Sequence, residues 1–369
     1  MQLTHVRRLY LALSLMLLPS VLTVSTAASV LAQEGGVEVN GGLRTSLYLD
    51  SDHTTISTTS TDASARFNRQ WQVGAHYLLD VVSSASVDVV TQASEDFDDV
   101  RHELGANVGY RDELGRSLIA SYSLSTENDW LSHNVALSGS VEAMQRNLSL
   151  GASLALQDNT ITRSDTFGFE ESMRAYIATG SFTLTASPRD LVHMALTVAH
   201  HDGFQASPYR YLTIRNFGYA ENVPEVRDRV ALVGRYHRHL GGDFFLRTHA
   251  RFYADTYGVK ALTGGTELAY ERDALELSGF VRGYTQSAAE FYQRVYADQQ
   301  RYMTLDKELS TFWDVFAGVM LGWTFRNPDS ESELRLEARV AGNYFQFADF
   351  ARLEDRYGLT ATLAASGRL

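Results

Sequence analysis

From Gly36 almost to the last residue, apolar and polar side chains alternate, and a period of two is the mark of a strand whose faces meet different surroundings. Across Ala65–Leu79 the odd positions Phe67, Trp71, Val73, Ala75, Tyr77 and Leu79 are apolar or aromatic, with Arg69 the exception. The even positions Arg66, Asn68, Gln70, Gln72 and His76 are polar. A chain built of such segments reads as an antiparallel transmembrane β-barrel, because only every second residue has to face lipid. That accounts for a hydrophobic content of 44% without an apolar run, beyond the N-terminus, long enough to span a bilayer as a helix.

Residues 1–32 have the form of a cleaved secretory leader. Arg7 and Arg8 precede the apolar stretch Leu9–Leu18, Pro19 closes it, and Val30-Leu31-Ala32 fits a small-residue cleavage site. Residues 33–369 are then expected to form a single barrel domain. The chain has no cysteine, which removes disulfides and thiolate metal sites. The net charge of −12 becomes −14 once the two leader arginines are discounted, which argues against nucleic acid as a partner. Almost all the cations are arginine, the only lysines being Lys260 and Lys307. Arginine suits crowded polar interiors because its planar fork pairs with carboxylates.

Strands read from the alternation, and turns read from Gly, Pro, Asn and Asp, predict about 16 crossings, with 14 to 18 acceptable. Short connections such as Arg111–Gly115 and Leu240–Asp243 alternate with long ones at Asp50–Ser64, Gln157–Ser172, His201–Asp228 and Gln286–Ser310. Outer-membrane barrels show this asymmetry of short periplasmic turns and long external loops. With Ala65–Leu79 and Val100–Tyr110 both running downward, parity requires an upward strand between them, and Val81–Ala93 is the candidate. The chain ends Ser366-Gly367-Arg368-Leu369, where barrels of this kind commonly end in an aromatic residue.

Five phrases resemble the bacterial barrel family catalogued as domain of unknown function 3570. They are Tyr77–Ser86, Thr126–Ser132, Gln145–Ser149, Asp202–Arg210 (Asp-Gly-Phe-Gln-Ala-Ser-Pro-Tyr-Arg) and Arg282–Tyr292 (Arg-Gly-Tyr-Thr-Gln-Ser-Ala-Ala-Glu-Phe-Tyr). Ser84 departs from the Gly of the family's phrase. The resemblance implies the outer membrane of a Gram-negative bacterium and supplies no activity or catalytic residues.

The candidate chemistry lies in a charged lumen. Arg235, His237 and His239 share one strand face, and Arg247, His249 and Arg251 share the matching face of the next, joined through Leu240-Gly241-Gly242-Asp243. Glu333, Arg335, Glu337 and Arg339 occupy alternate positions further on, with Glu276 and Arg282 adding to them. Fixed cations in a pore select anions; the plainer reading is that Arg and Glu pair to fill the interior. His237 with His239, and His200-His201-Asp202, have spacings a metal could use, but no third ligand is specified, so neither a metal nor a cofactor is expected. The aromatics Phe204, Tyr209, Tyr211, Phe217, Phe291 and Tyr292 in the long loops fit a constriction, a binding surface, or packing of the loops on themselves. No nucleophile elbow, metalloprotease helix or phosphate loop is present, so an enzyme is not expected. The reading is a passive, porin-like channel for polar or anionic solutes or polymer. The alternative is a non-conducting barrel, plugged by its loops, that serves as receptor, scaffold or export partner. Expected partners are outer-membrane lipid, the barrel assembly machinery during biogenesis and a possible periplasmic protein.

Overall fold

A computed structural model describes residues 37–84, 97–328, 330 and 332–369. The leader and most of Val81–Ala93 lie outside the described residues. In chain order the strands are β1 (Val37–Asp50), β2 (Thr54–Phe67), β3 (Trp71–Ser84), β4 (Phe97–Arg111), β5 (Ser117–Thr126) and β6 (Trp130–Ala143). Next come β7 (Leu148–Thr162), β8 (Glu170–Ser187), β9 (Asp190–Gly203), β10 (Tyr211–Ile214), β11 (Phe217–Ala220) and β12 (Val226–Gly241). The last are β13 (Phe244–Asp255), β14 (Lys260–Arg272), β15 (Leu275–Gln286), β16 (Phe312–Arg326), β17 (Glu333–Phe347) and β18 (Asp355–Arg368). Sixteen of them form one closed antiparallel barrel, β1 sealing it against β18, while β10 and β11 pair as a separate hairpin between β9 and β12. Closure leaves no strand edge to be satisfied by lipid. Leu369 extends the seal, its backbone exchanging hydrogen bonds of 2.9 and 3.0 Å with Val39 instead of trailing past the last strand.

The two faces are those the alternation requires. Large apolar side chains stand outward, Leu104, Leu154, Val319 and Leu363 being 59–67% exposed, which only a lipid surround makes favourable. Aromatic pairs mark both ends of this apolar band. Trp71–Tyr110 (4.9 Å) and Phe244–Tyr270 (5.2 Å) lie toward the end with short turns, Trp313–Tyr344 (5.4 Å) and Tyr344–Tyr357 (4.9 Å) toward the loop end.

The N-terminal quarter corrects the sequence reading. Asp50–Ser64 is not a loop and Ala65–Leu79 is not one strand. Asp50 accepts from the amides of Asp52 (3.0 Å) and Thr54 (2.9 Å) and from the Tyr48 hydroxyl (3.0 Å), tying β1 directly to β2 through residues 51–53. The outward positions of β2 are Thr55, Ser57, Thr59, Thr61 and Ala63, opposite Leu49, Leu47, Thr45, Leu43 and Gly41. β-Branched threonine favours a strand, yet these positions carry no apolar signal. Two of the hydroxyls are satisfied locally, Thr61 donating to the Gly42 carbonyl (3.0 Å) and Thr59 bonding to Thr45 (3.3 Å). Residues 68–70 then turn the chain, with Asn68 and Arg69 at φ of 51° and 59°. A three-residue turn keeps Phe67 and Trp71 on the same odd parity and pairs them directly, so the alternation runs through the turn unbroken. The Gln157–Ser172 connection is also shorter than expected, at residues 163–169, because β7 and β8 extend well beyond the apolar band.

Gly203 shows how closely β8 and β9 approach at the loop end. Its φ is +116°, and a Cβ there would lie 2.2 Å from the Ser172 carbonyl oxygen. Gly203→Ala is expected to destabilise the barrel by about 1–3 kcal/mol. A lower urea midpoint in a gel-mobility assay is the check; an unchanged midpoint would mean the strand ends yield freely.

Candidate functional site

The register divides the interior into two unlike walls. From β5 to β9 many inward positions are small or hydroxylic, among them Ser121, Ser123, Ser138, Ser153, Thr179, Ser181 and Thr197. Ser117 bonds Ser140 (2.7 Å), Thr179 bonds Thr197 (3.0 Å), Thr183 bonds His193 (2.9 Å) and Gln157 donates to Ser132 (3.0 Å). From β12 round to β1 the inward positions carry the charge. Arg247, Arg282 and Arg335 keep 33%, 37% and 32% of their side-chain surface exposed, so the interior is hydrated instead of packed solid.

The arginines sort into two groups. Arg247 donates to Glu267 (2.7 Å), Glu271 (2.5 Å) and Glu276 (3.4 Å), and Arg335 to Glu276 (2.7 Å) and Glu337 (3.5 Å). Arg282 pairs with Asp314 at 2.5 Å, and Glu333 with Arg326 at 3.3 Å near the turn end. These side chains neutralise one another, as the plainer reading of the charges expected. The second group has no carboxylate within ion-pairing distance among the described residues: Arg44, Arg229, Arg235, Arg251 and Arg339. Arg235 is exposed and stands directly between His193 and His249 across the sheet. Arg251 lies over the Tyr253 ring (5.2 Å) and Arg339 over Phe280 (4.0 Å). Sequence reasoning named Arg235, Arg251 and Arg339 but missed Arg44 and Arg229. The polar face of β1, with Arg44, Tyr48 and Asp50 at even positions, was the available signal for Arg44.

His237 and His249 share the inward face with these arginines, but the histidine pairs do not assemble into metal sites. His239 stacks on Phe245 (4.8 Å) and bonds the Gly242 carbonyl (2.8 Å). His200 and His201 are consecutive strand residues and so point to opposite faces. Asp99, Glu127 and Asp129 bring ligand atoms within 4.8 Å of one another, and no other feature of that group points to a ligand.

At the loop end two long connections join into one canopy. Residues 204–225 carry the β10–β11 hairpin; residues 287–311 carry a 3-10 turn at Lys307–Leu309. Asn222 and Met303 exchange backbone hydrogen bonds (3.0 and 2.7 Å), and Leu212, Ile214, Tyr296 and Met303 form a dry cluster, each at most 5% exposed. Arg210 bridges Glu221 (3.2 Å) and Asp306 (3.1 Å), while Thr304 donates its hydroxyl to Glu221. The canopy reaches the other hairpin tips. Tyr209 bonds Asp129 and accepts from the Ser164 amide (3.1 Å), and Arg163 donates to the Tyr211 hydroxyl (2.8 Å). Phe291 packs edge-on against Tyr257 (5.1 Å), Tyr292 donates to the Asp349 carbonyl (3.3 Å), and Lys307 approaches Asp52 (3.8 Å). Burial pushes the Tyr257 phenol up to about 12, keeping it neutral as it donates to the Pro224 carbonyl. The contacts extend from the β5–β6 tip to the β1–β2 tip. Phe204 packs on Phe169 (5.8 Å), so of the six loop aromatics singled out in the sequence only Phe217, 68% exposed at the hairpin tip, stays out of this packing.

Burial holds the Glu221 carboxyl above the ordinary carboxylate range, against the opposing pull of Arg210 and the Thr304 hydroxyl. A raised carboxyl contributes stability that is complete below its solution value of about 4.3 and is lost as pH rises through the raised value. Acidification from neutral pH is therefore expected to tighten the canopy. Amide exchange at Met303 and Thr304, corrected for intrinsic rates, should slow as pH falls, and Glu221→Gln should flatten the dependence. A canopy that loosens on acidification would contradict the assignment.

Residues 175–346 match the family described as Protein of unknown function (DUF3570). The resemblance read in the sequence is thus met from β8 to near the end of β17, a stretch that includes the phrases Asp202–Arg210 and Arg282–Tyr292. No curated protein matches the chain. Among solved structures, a bacterial polysaccharide outer membrane secretin aligns over 90% of this chain and 98% of its own, with 12% identity and a TM-score of 0.49. Pseudomonas aeruginosa OprD aligns over 89% and 94%, with 8% identity and a TM-score of 0.43. A mutant of the monoaromatic hydrocarbon channel TodX aligns over 90% of each chain, with 12% identity and a TM-score of 0.42.

Proposed function

We propose that this protein is a passive channel in the outer membrane of a Gram-negative bacterium, selective for anionic solutes, with its short turns periplasmic and its canopy outside. One observation carries the reading: Arg44, Arg229, Arg235, Arg251 and Arg339 face a hydrated interior without carboxylate partners among the described residues, on a wall that adjoins the serine- and threonine-rich strands at β9. An arginine held for stability in a polar interior is ordinarily paired, as Arg247 and Arg335 are. Uncompensated cations in water leave a positive potential that draws anions and repels cations. The hydroxyl wall supplies donors and acceptors without charge, so a solute slides instead of binding tightly. The pore-lining set is Arg235, His237, Arg247, His249, Arg251, Arg282, Glu333, Arg335, Glu337 and Arg339, extended by Arg44 and Arg229.

The test is solute release from liposomes holding the refolded protein. Small mono- and dicarboxylates should leave faster than neutral sugars of equal size, and organic cations slowest. Equal release of all three would remove the anion assignment. A second reading, a closed barrel presenting a binding surface, draws on the canopy; it predicts no release until the canopy is opened.

A further inference from the structure

We propose that the lumen wall of β15, β16 and β17 holds a site for aromatic carboxylates, with the ring against Phe280 and Phe316 and the carboxylate on Arg339. The site rests on the anion-channel reading and deepens it, naming the class of anion that the lumen favours.

Phe280, Arg282, Phe316 and Arg339 occupy inward positions on three adjacent strands. Arg339 reaches from β17 across β16 to lie over the Phe280 ring on β15, 4.0 Å from its centroid. Gly318, directly opposite Phe280 in the register, puts no side chain between them. A Cβ at Gly318 would lie 2.5 Å from the Val340 carbonyl oxygen, so the position stays open. The Phe316 ring stands 5.3 Å from Phe280 and is tilted by 55°, so the two rings form a corner. Arg282 lies over Phe316 at 5.5 Å and is neutralised by Asp314. Arg335, the arginine nearer the turn end, is neutralised by Glu276 and Glu337. Arg339 is thus the uncompensated cation of these three strands among the described residues, and its Nε is buried without a hydrogen-bond partner.

Packing does not account for the two rings. The other inward aromatics of these strands, Tyr284, Phe312, Phe345 and Phe347, gather toward the loop end in a dry cluster with Phe350. Phe280 and Phe316 stand outside that cluster, half-buried on a hydrated wall. The inward positions of β7, β8 and β9 carry no aromatic residue at all, so the interior closes without them. A guanidinium stacked on a ring keeps its in-plane N–H fork free, and a carboxylate accepts from that fork in two parallel hydrogen bonds. A ring borne on the carboxylate then meets the Phe280–Phe316 corner in offset or edge-to-face contact, which adds to the burial of apolar surface. One uncompensated guanidinium matches one negative charge. A phosphate dianion would shed water against phenyl rings with a single cation to offset the loss, and an organic cation is repelled.

Block of the chloride current through the refolded full-length protein tests this, with benzoate or cyclohexanecarboxylate added to one side of a planar bilayer at neutral pH. Benzoate should block at a concentration about fivefold lower than cyclohexanecarboxylate, which has the same charge and similar size but no π-system, the scale of one aromatic contact. Arg339→Gln should weaken block by both. Phe280→Leu should bring benzoate down to the level of cyclohexanecarboxylate and leave the latter little changed. Heat-shifted gel mobility confirms folding, and Phe316→Leu replaces Phe280→Leu should the latter not refold. Equal block by the two anions overturns the proposal, as does a Phe280→Leu variant that weakens both alike, since the ring would then only position Arg339. A cation-preferring or absent current would fail the channel reading instead. Saturation-transfer NMR on the folded barrel in detergent then makes the same comparison without current: transfer to benzoate above cyclohexanecarboxylate upholds the site, and equal transfer overturns it.

Discussion

Replacing Arg235 and Arg251 together by Glu should reverse the ion preference of the channel. Both are inward residues on adjacent strands, β12 and β13, and neither has a carboxylate partner among the described residues. The double substitution moves the local charge from two positive to two negative without breaking an ion pair. At about 4 Å in water a unit charge changes the energy of a passing ion by about 1 kcal/mol, so a permeability ratio should move by about tenfold or more across the pair. A shift of the zero-current potential under a salt gradient reports it directly. The same change at Arg247 is a different experiment. Arg247 holds Glu267, Glu271 and Glu276 together, so its loss leaves three carboxylates facing one another and should lower stability as well as selectivity. If Arg235→Glu with Arg251→Glu leaves selectivity unchanged, these residues do not line the conduction path.

Excising residues 290–308 should raise conductance severalfold. The Ala289 amide donates to the Leu309 carbonyl at 2.9 Å, so the ends of the excised segment already lie side by side and a short Gly-Ser turn can join them. The excision removes Tyr296, Met303 and Thr304, and with them the dry cluster and the Glu221 contact that join the two halves of the canopy. The barrel itself should persist, because β15 and β16 pair through Gln286 and Phe312 independently of the loop. Planar-bilayer recording of the excised form against the full chain measures the effect. Equal conductance would mean that the canopy stands clear of the mouth. Conductance appearing only in the excised form would favour the closed-barrel reading.

The strand number was legible in the sequence for a reason that also concealed an error. Parity demanded a strand missing from the N-terminal quarter, and sixteen is the number in the barrel. The missing strand is β2, whose outward Thr55, Ser57, Thr59 and Thr61 lack the apolar signal, and the odd-length turn at Asn68–Gln70 preserved the phase of the alternation. Face assignments on β12, β13 and β17 followed from alternation alone, since a side chain's face depends only on its parity. Pairing did not follow, because it is set by strands far apart in the chain. Glu276 serves Arg247 and Arg335, 29 and 59 residues away. Only the closed register distinguishes the neutralised arginines from Arg235, Arg251 and Arg339. The loop aromatics were found by composition, but their joining into one canopy depends on contacts such as Asn222 with Met303 that no local pattern encodes.

Single-channel recording of the refolded full-length protein in a planar bilayer, with the reversal potential read under a potassium chloride gradient, tests the proposed anion-selective pore most directly. Steady conductance is expected, with a reversal potential displaced toward the chloride equilibrium potential. Cation preference, or silence from folded protein both with and without residues 290–308, would contradict it.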